Sequence, residues 1–243
     1  NPAFTAGLAV SGLYGELSTD SPDRLDCDVS TWYLSAFARY LSRPWVHHVA
    51  ATLGWVQADP DRRVNVGSLL CNTRGATDGH SFGLMYELAY NWQPDVYDPD
   101  FTLQPLLNIS YRHSSVGGYT ESGSDAALRV DPQGMDSLRL SLGARLQAAF
   151  GENIYNRKSV LECRVLSGFD IGDRRGQADV ALVNGRTRDR VQSARPGAFG
   201  VELGAGLAVP LGQEDGTLFL DGALLLRSHQ SEFQATVGYR NQF

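Results

Sequence analysis

The chain has 243 residues, of which 20% are charged and 42% hydrophobic, and its formal net charge is −6. This acidic balance argues against a nucleic-acid-binding protein, which would need a basic face. No run approaches the roughly 18 apolar residues of a membrane-spanning helix, so a helical membrane protein is excluded. The mean hydropathy of −0.24 does not exclude a transmembrane β-barrel, because barrel strands show lipid only every second residue.

Ten segments alternate apolar and polar residues, and this period of two predicts β-strands. In chain order they lie at residues 4–14, 32–40, 48–55, 81–92, 103–112, 138–150, 161–171, 199–211, 218–227 and 233–243. The sixth segment places Arg139 and Arg145 between leucines. Such charges would destabilise a dry core, but they are tolerated on the wet inner face of a membrane barrel.

The connections between these strands differ in length at the two ends of the sheet. Tight turns are predicted at 43–45, 94–100, 151–158 and 212–216, and wide loops at 18–28, 57–79, 114–135 and 172–197. The Val180–Val183 run predicts a strand extension or a hairpin inside the last loop. Outer-membrane barrels have this asymmetry, with the longer loops outside, and a soluble sandwich has no reason for it. The sequence therefore predicts an all-β, antiparallel, up-and-down barrel that crosses the bacterial outer membrane.

Aromatic residues lie mostly toward the ends of the predicted strands. They are Trp32, Tyr40, Trp45, Trp55, Tyr90, Trp92 and Tyr111. This placement is typical of the aromatic girdles at the two interfaces of a barrel with its membrane.

Five stretches, in the same order, resemble the C-terminal translocator domain of autotransporters, the type V secretion family. They are Glu87–Tyr90, Gly118–Gly123, Asp136–Leu146, Gly204–Leu207 and Gly238–Phe243. The resemblance implies a twelve-stranded barrel with a helix threaded through its pore and a secreted passenger on the N-terminal side. Residues 1–243 are then one outer-membrane barrel domain that lacks the pore helix and the first two strands. A closed barrel of the ten visible strands is the alternative.

The resemblance also implies that the outer-membrane barrel assembly machinery reads the last strand. Gly238, Tyr239 and Phe243 would carry this signal. Asn241 departs from the family pattern, which usually has an aromatic or apolar residue there, so recognition is expected to be weaker than usual.

The polar positions of the strands predict a pore lining of mixed charge. Its predicted members are Arg39, Glu87, Arg112, Arg139, Arg145, Glu162, Arg164, Glu202, Asp221, Arg227 and Arg240, with His48 and Asp170 on the same side. Opposite charges on neighbouring strands can pair in a hydrated lumen. Small residues on this side, such as Gly143, Gly204 and Gly206, predict either a wider lumen or bends in the wall.

Three cysteines cannot all pair with one another, because their number is odd. Cys27 and Cys71 fall in two loops predicted to lie outside, where oxidising conditions permit a disulfide between them. Cys163 is expected to face lipid.

The remaining motifs do not predict catalysis, a cofactor or a metal. His47 and His48 are adjacent, so they point to opposite faces and make a poor metal site. The glycine-rich segment Gly200–Gly206 lacks the Lys-Ser/Thr of a phosphate loop. Ser110 or Ser114 with His113, and His229 with its neighbouring serines, cannot aim at one another along a strand.

The sequence thus favours the membrane anchor and export pore of an autotransporter, without enzymatic activity. Its expected partners are outer-membrane lipid, its own passenger or pore helix, and the assembly machinery. The alternative is a barrel without passenger, acting as a surface adhesin or small porin through its long loops. A barrel enzyme is a third hypothesis, which serine-directed probes would test.

Overall fold

The computed structural model describes residues 3–19, 24–66, 69–92, 100–153, 156–173, 175–193, 195, 197–211, 216–228 and 230–240. Fifteen β-strands and their connections make up this part of the chain, which holds no helix. In these ranges no helix is long and apolar enough to cross a membrane.

The strands, in chain order, are β1 (Phe4–Thr19), β2 (Arg24–Ser42), β3 (Trp45–Val66), β4 (Leu69–Arg74), β5 (Thr77–Tyr90), β6 (Phe101–Val116), β7 (Tyr119–Thr120), β8 (Leu128–Val130), β9 (Gln133–Glu152), β10 (Lys158–Gly172), β11 (Gln177–Leu182), β12 (Arg188–Gln192), β13 (Phe199–Leu211), β14 (Gly216–Arg227) and β15 (Gln230–Arg240).

Ten long strands form one antiparallel half-barrel sheet, which we call the wall, in the order β1-β2-β3-β5-β6-β9-β10-β13-β14-β15. They correspond to the ten strands predicted from the alternating pattern, and each pairs with its neighbour along the chain. The up-and-down topology is therefore confirmed. Within the described residues, β1 and β15 each pair on one side only, so the sheet is open between them.

The wall has one apolar face and one polar face, because side chains alternate along every strand. On the apolar face large side chains are exposed, for example Leu142 at 63% and Val165 at 54% of their surface. Solvent-exposed leucines and valines in this number would be costly in water, and lipid is the environment that suits them.

Aromatic residues mark both ends of the apolar face. Trp32 pairs with Trp55 within the β2–β3 ladder, which continues from there to Arg24 and Arg63. At the other end the Trp45 and Tyr90 rings meet edge to face, with centroids 5.0 Å apart. The predicted girdle positions thus lie where a membrane interface would meet the wall.

Three of the predicted wide loops contain further strands. β3 continues to Val66 and pairs with β4, while β7, β8, β11 and β12 form a four-stranded sheet. The β6–β9 ladder ends at Val116 and Gln133, and β7–β8 resumes it in the same register at Tyr119 and Val130. We call these strands, with the end of β3 from residue 61, the rim. The prediction of wide loops at 57–79 and 114–135 was wrong where these rim strands lie, since they alternate without the strong apolar signal of the membrane strands. The strand or hairpin predicted at Val180–Val183 is confirmed, because β11 includes residues 180–182 and pairs with β12.

A buried ion pair ties the rim together. Arg62 Nη2 lies 2.6 Å from Glu121 Oε2, and the backbone N–H of Leu128 donates to the same oxygen at 2.9 Å. A β-bridge between Arg74 and Ser122 joins β4 to the β7–β8 segment. Burial opposes the charge of Glu121, but these hydrogen bonds prevail and hold its pKa below the usual value.

The disulfide considered for Cys27 and Cys71 is absent, because both residues are free thiols. Cys27 is opposite Pro60 on one side of β3, and Cys71 is opposite Val64 on the other side. Two strand spacings of about 4.8 Å separate them even before their offset along β3 is counted. A disulfide needs Cα atoms within about 7 Å. Cys163 is exposed on the apolar face, as expected.

Candidate pore lining and its charge network

The structure brings most of the predicted pore-lining residues together on the polar face of the wall. Arg39 and Arg112 lie there on β2 and β6, both exposed. The others with described side chains join two ion-paired groups on β5, β9, β10, β13 and β14. Arg240 pairs with Thr217 in the β14–β15 ladder, but its side chain lies outside the described part of the structure.

Arg145 on β9 connects two acidic residues across four strands. Its Nη2 donates to Glu87 Oε1 at 2.9 Å and to Oε2 at 3.1 Å. Its Nε lies 3.1 Å from Glu162 Oε1, an ion pair without hydrogen-bond geometry. Gln147 donates to the other Glu162 oxygen at 2.9 Å, and Gln104 accepts from Arg145 at 3.3 Å.

Arg164 on β10 is the second cationic centre of this group. It donates to both oxygens of Asp221, at 2.7 and 2.9 Å, in the bidentate geometry that guanidinium and carboxylate favour. Its Nε donates to Glu202 at 3.3 Å, and Glu162 lies 3.6 Å from Nη1. One guanidinium therefore serves three carboxylates, which leaves this part of the face with surplus negative charge.

A separate triad lies nearer the rim. Asp170 is nearly buried and accepts from Arg139 Nη1 at 3.2 Å, while Arg227 Nη2 lies 3.3 Å away. Arg139 also donates to Ser141 at 3.2 Å. Two cations and one anion make this triad net positive, opposite in sign to the group around Arg164.

Glycines give the arginines room to lie flat against the wall. A Cβ on Gly204 would be 2.5 Å from Arg164 Nε, and one on Gly168 would be 2.9 Å from Arg139 Nε. A Cβ on Gly200 would likewise be 3.0 Å from Arg227 Cγ. Gly204 and Gly168 therefore leave space for guanidinium groups, and Gly200 leaves space for the aliphatic part of Arg227, a role that the sequence pattern alone did not reveal.

The serine and histidine pairs do not form a catalytic arrangement. His113 faces the apolar side, where its Nδ1 lies 2.9 Å from Asp136 Oδ1, while Ser110 and Ser114 face the polar side. Tyr111 donates to the same Asp136 oxygen at 2.5 Å. His229 lies outside the described residues. Across the described ranges no group of three or more His, Cys, Asp or Glu side chains could hold a metal ion.

The predicted assembly signal lies at an edge of the wall. Gly238 pairs with Phe219, whose ring lies over the glycine, and a Cβ there would be 2.7 Å from Phe219 Cε1. Tyr239 is exposed on the apolar face. Asn241 and Phe243 lie outside the described residues.

Sequence reasoning missed the rim ion pair and the uncharged members of the network. Glu121 belongs to a stretch that carried the family resemblance, but nothing in its spacing pointed to Arg62. Gln104 and Gln147 look like ordinary polar strand positions. Their alternation with apolar residues was the signal that placed them on the polar face.

The model of a family described as the autotransporter β-domain matches residues 1–223. The chain belongs to the autotransporter β-domain family. The translocator domain of autotransporter NalP from Neisseria meningitidis has a similar fold, with a TM-score of 0.65 at 12% identity over 99% of this chain and 82% of that one. The transport unit of the autotransporter AIDA-I from Escherichia coli matches with a TM-score of 0.36 at 9% identity, over 100% and 91% of the two chains. No curated protein sequence matches the chain significantly.

Membership of this family identifies the chain as an outer-membrane translocator and anchor domain. The predicted fold class and function are thereby confirmed.

Proposed function

We propose that the polar face of this autotransporter β-domain lines a pore through which an N-terminal passenger segment crosses the outer membrane. The observation that carries this is the ion-paired network behind an exposed apolar face. Glu87, Arg145, Glu162 and Arg164 form it across the middle of the wall. A wall that is wet inside and apolar outside supports passage of a polar chain without lipid contact. The lining comprises all the charged residues predicted for it, including Arg240.

The pore requires that the open wall be closed. β1 and β15 present unpaired backbone groups within the described residues, and such edges are not tolerated in lipid. We assign closure to two further strands of the same protein between β15 and β1, and we place a helical segment of the protein in the lumen. The family resemblance supports both assignments. Direct pairing of β1 with β15 is the competing arrangement.

The rim is assigned to the outside of the cell and the tight turns to the periplasm, since outer-membrane barrels place their longer connections outside. The edge strand β15 then offers Gly238, Tyr239 and Phe243 to the assembly machinery. In this export the domain provides the passage and supplies no catalytic group.

Surface exposure of the passenger tests this function. Cells that express the full-length protein are treated with a protease that does not cross the membrane, and the passenger is followed by immunoblot. We expect the passenger to be cleaved and the barrel to remain intact. The barrel is heat-modifiable if boiled and unboiled samples differ in gel mobility, which indicates that it is folded. An outer membrane that carries a heat-modifiable barrel but no exposed passenger would favour the adhesin or porin alternative.

A further inference from the structure

The turn between β7 and β8 lies on the lumen side of the rim. The β2–β3 ladder keeps one register along its whole length, so the side chains of His48 and Arg62 lie on the same face of β3. That face is the polar face, because His48 is opposite Arg39. Thr73 on β4 is opposite Arg62 and shares this side. Arg62 and Thr73 therefore point toward the lumen.

Arg62 holds the turn against the lumen side of β3. Its Nη2 donates to the carbonyl oxygen of Ala126 at 2.8 Å and to Glu121 Oε2 at 2.6 Å. Val64 and Thr73, which share this side of the β3–β4 hairpin, are only 8% and 1% exposed. Their burial means that this face is covered, and the contacts of Arg62 indicate that the turn covers it. The turn thus adds a second layer of chain inside the end of the wall.

Tyr119 extends this second layer along β4 and β5. A Cβ on Gly75 would be 2.6 Å from Tyr119 Cδ2 and 3.4 Å from Pro60 Cγ. Pro60 is buried and lies on the same face of β3 as Arg62. The tyrosine ring therefore lies over Gly75 and beside Pro60, on the lumen side.

Residues 122–127, which we call the strap, are fixed at both ends. Ser122 and Arg74 exchange backbone hydrogen bonds of 2.8 and 2.9 Å. At the other end, the backbone N–H of Val183 donates to the carbonyl oxygen of Ala127 at 2.9 Å. Between these points the φ of Gly123 is 110°, a conformation that favours glycine. The strap is therefore an ordered part of the mouth of the lumen.

The exposed part of the strap is small and polar. Ser122, Gly123 and Asp125 are exposed there. An extended polypeptide carries backbone N–H and C=O groups that need polar partners or water. A polar projection on the lumen side suits the passage of such a chain, whereas large apolar side chains would leave those groups unsatisfied.

We propose that the strap narrows the outer mouth of the pore and is the contact against which the passenger segment leaves it. This inference rests on the proposed function, which assigns the rim to the outside of the cell. It adds the place where pore and passenger meet and the residues that form it.

Photocrosslinking tests this contact in cells that express the full-length protein with its own passenger. The photoreactive amino acid p-benzoylphenylalanine replaces Asp125 in one variant and Asn72 in another. Asn72 is the matched control, because a Cβ on Gly123 would be 2.8 Å from its carbonyl oxygen, while its exposed side chain lies on the opposite face from Thr73. Mass spectrometry identifies the crosslinked peptides. Passenger cleavage by external protease and heat-modifiability of the barrel are measured in the same cells.

We expect crosslinks between position 125 and the passenger segment, and a loss of these crosslinks when the probe is at position 72. The reason is that the sheet itself separates the side chain of residue 72 from the lumen. Both variants should remain heat-modifiable and expose their passenger. If the variant at position 125 does not fold, Ser124, the preceding residue of the strap, carries the probe instead.

Passenger crosslinks from both positions, from position 72 alone, or from neither, in cells whose passenger is exposed, would overturn the inference and leave the proposed function standing. A wild-type protein that exposes no passenger would overturn both.

Discussion

At the scale of single residues, the polar face accommodates large arginine side chains because glycines lie beside them. Arg164 lies on Gly204 and reaches three carboxylates from there. A guanidinium held in this way is only partly hydrated, so its carboxylates replace the water that it gives up. Removing the cation leaves those carboxylates facing one another, which is why the arginine matters more than a surface ion pair would.

Arg164→Gln is expected to destabilise the wall by about 1–3 kcal/mol, since it leaves part-buried carboxylates without their counter-charge. Urea unfolding in detergent, followed by tryptophan fluorescence, measures the change. Arg112→Gln, at an exposed position of the same face, serves as the matched control and should have a smaller effect. Equal losses in both variants would show that the Arg164 network adds no stability.

Replacing Gly143 is expected to destabilise the wall more than replacing other glycines of the polar face. A Cβ there would collide with the Val165 carbonyl and lie 2.8 Å from Leu166 Cα, and backbone atoms of a paired strand cannot move aside easily. Gly143→Ala should therefore lower stability by about 1–3 kcal/mol. Gly83→Ala is the control, because its nearest neighbour would be 3.8 Å away. For each variant, the temperature at which half of the barrel has changed to its unfolded gel mobility measures the difference in stability. Similar temperatures for the two variants would contradict the prediction.

At the scale of elements, the wall continues beyond its apolar band as the rim. Because β7 and β8 continue the register of the β6–β9 ladder and β4 pairs with the end of β3, the connections are ordered strands, although β7, β8, β11 and β12 form a sheet of their own. The Arg62–Glu121 pair fixes the β7–β8 segment against the end of β3. An ordered rim keeps the mouth of the lumen in a fixed shape.

The rim is expected to loosen in acid. The folded-state pKa of Glu121 lies below its unfolded value of about 4.3. Its ionised form therefore stabilises the rim fully above that value, and the contribution is lost as the pH falls through the folded-state pKa. A spin label at Ser124 should become more mobile in that range.

Glu121→Gln provides the control for this titration. The spin label should already be mobile at neutral pH in this variant and should respond little to acid. If the variant and the wild type show the same acid response, another group controls the rim.

At the scale of the whole molecule, much of the fold could be predicted from alternation alone. The ten wall strands, their faces and the girdles follow from a period of two over long segments. Most of the rim could not be predicted in this way, because its apolar signal is weak. The exception is the Val180–Val183 run, which overlaps β11. The disulfide that the sequence permitted between Cys27 and Cys71 does not form, because β3 lies between them, which the sequence did not show. Ion pairs such as Arg164 with Asp221 depend on register, which the sequence leaves open.

The unpaired edges of β1 and β15 lead us to one further prediction about the whole barrel. If two more strands close the wall, residues 1–243 alone leave two long unpaired edges in the bilayer, where each unsatisfied backbone group costs free energy. This fragment should then fail to give a heat-modifiable monomer in detergent, while a longer protein that includes the preceding residues should give one. A monomeric, heat-modifiable barrel from the fragment would instead show that β1 pairs directly with β15. Because the two arrangements differ in strand number, the same result also fixes the width of the lumen available to the passenger segment.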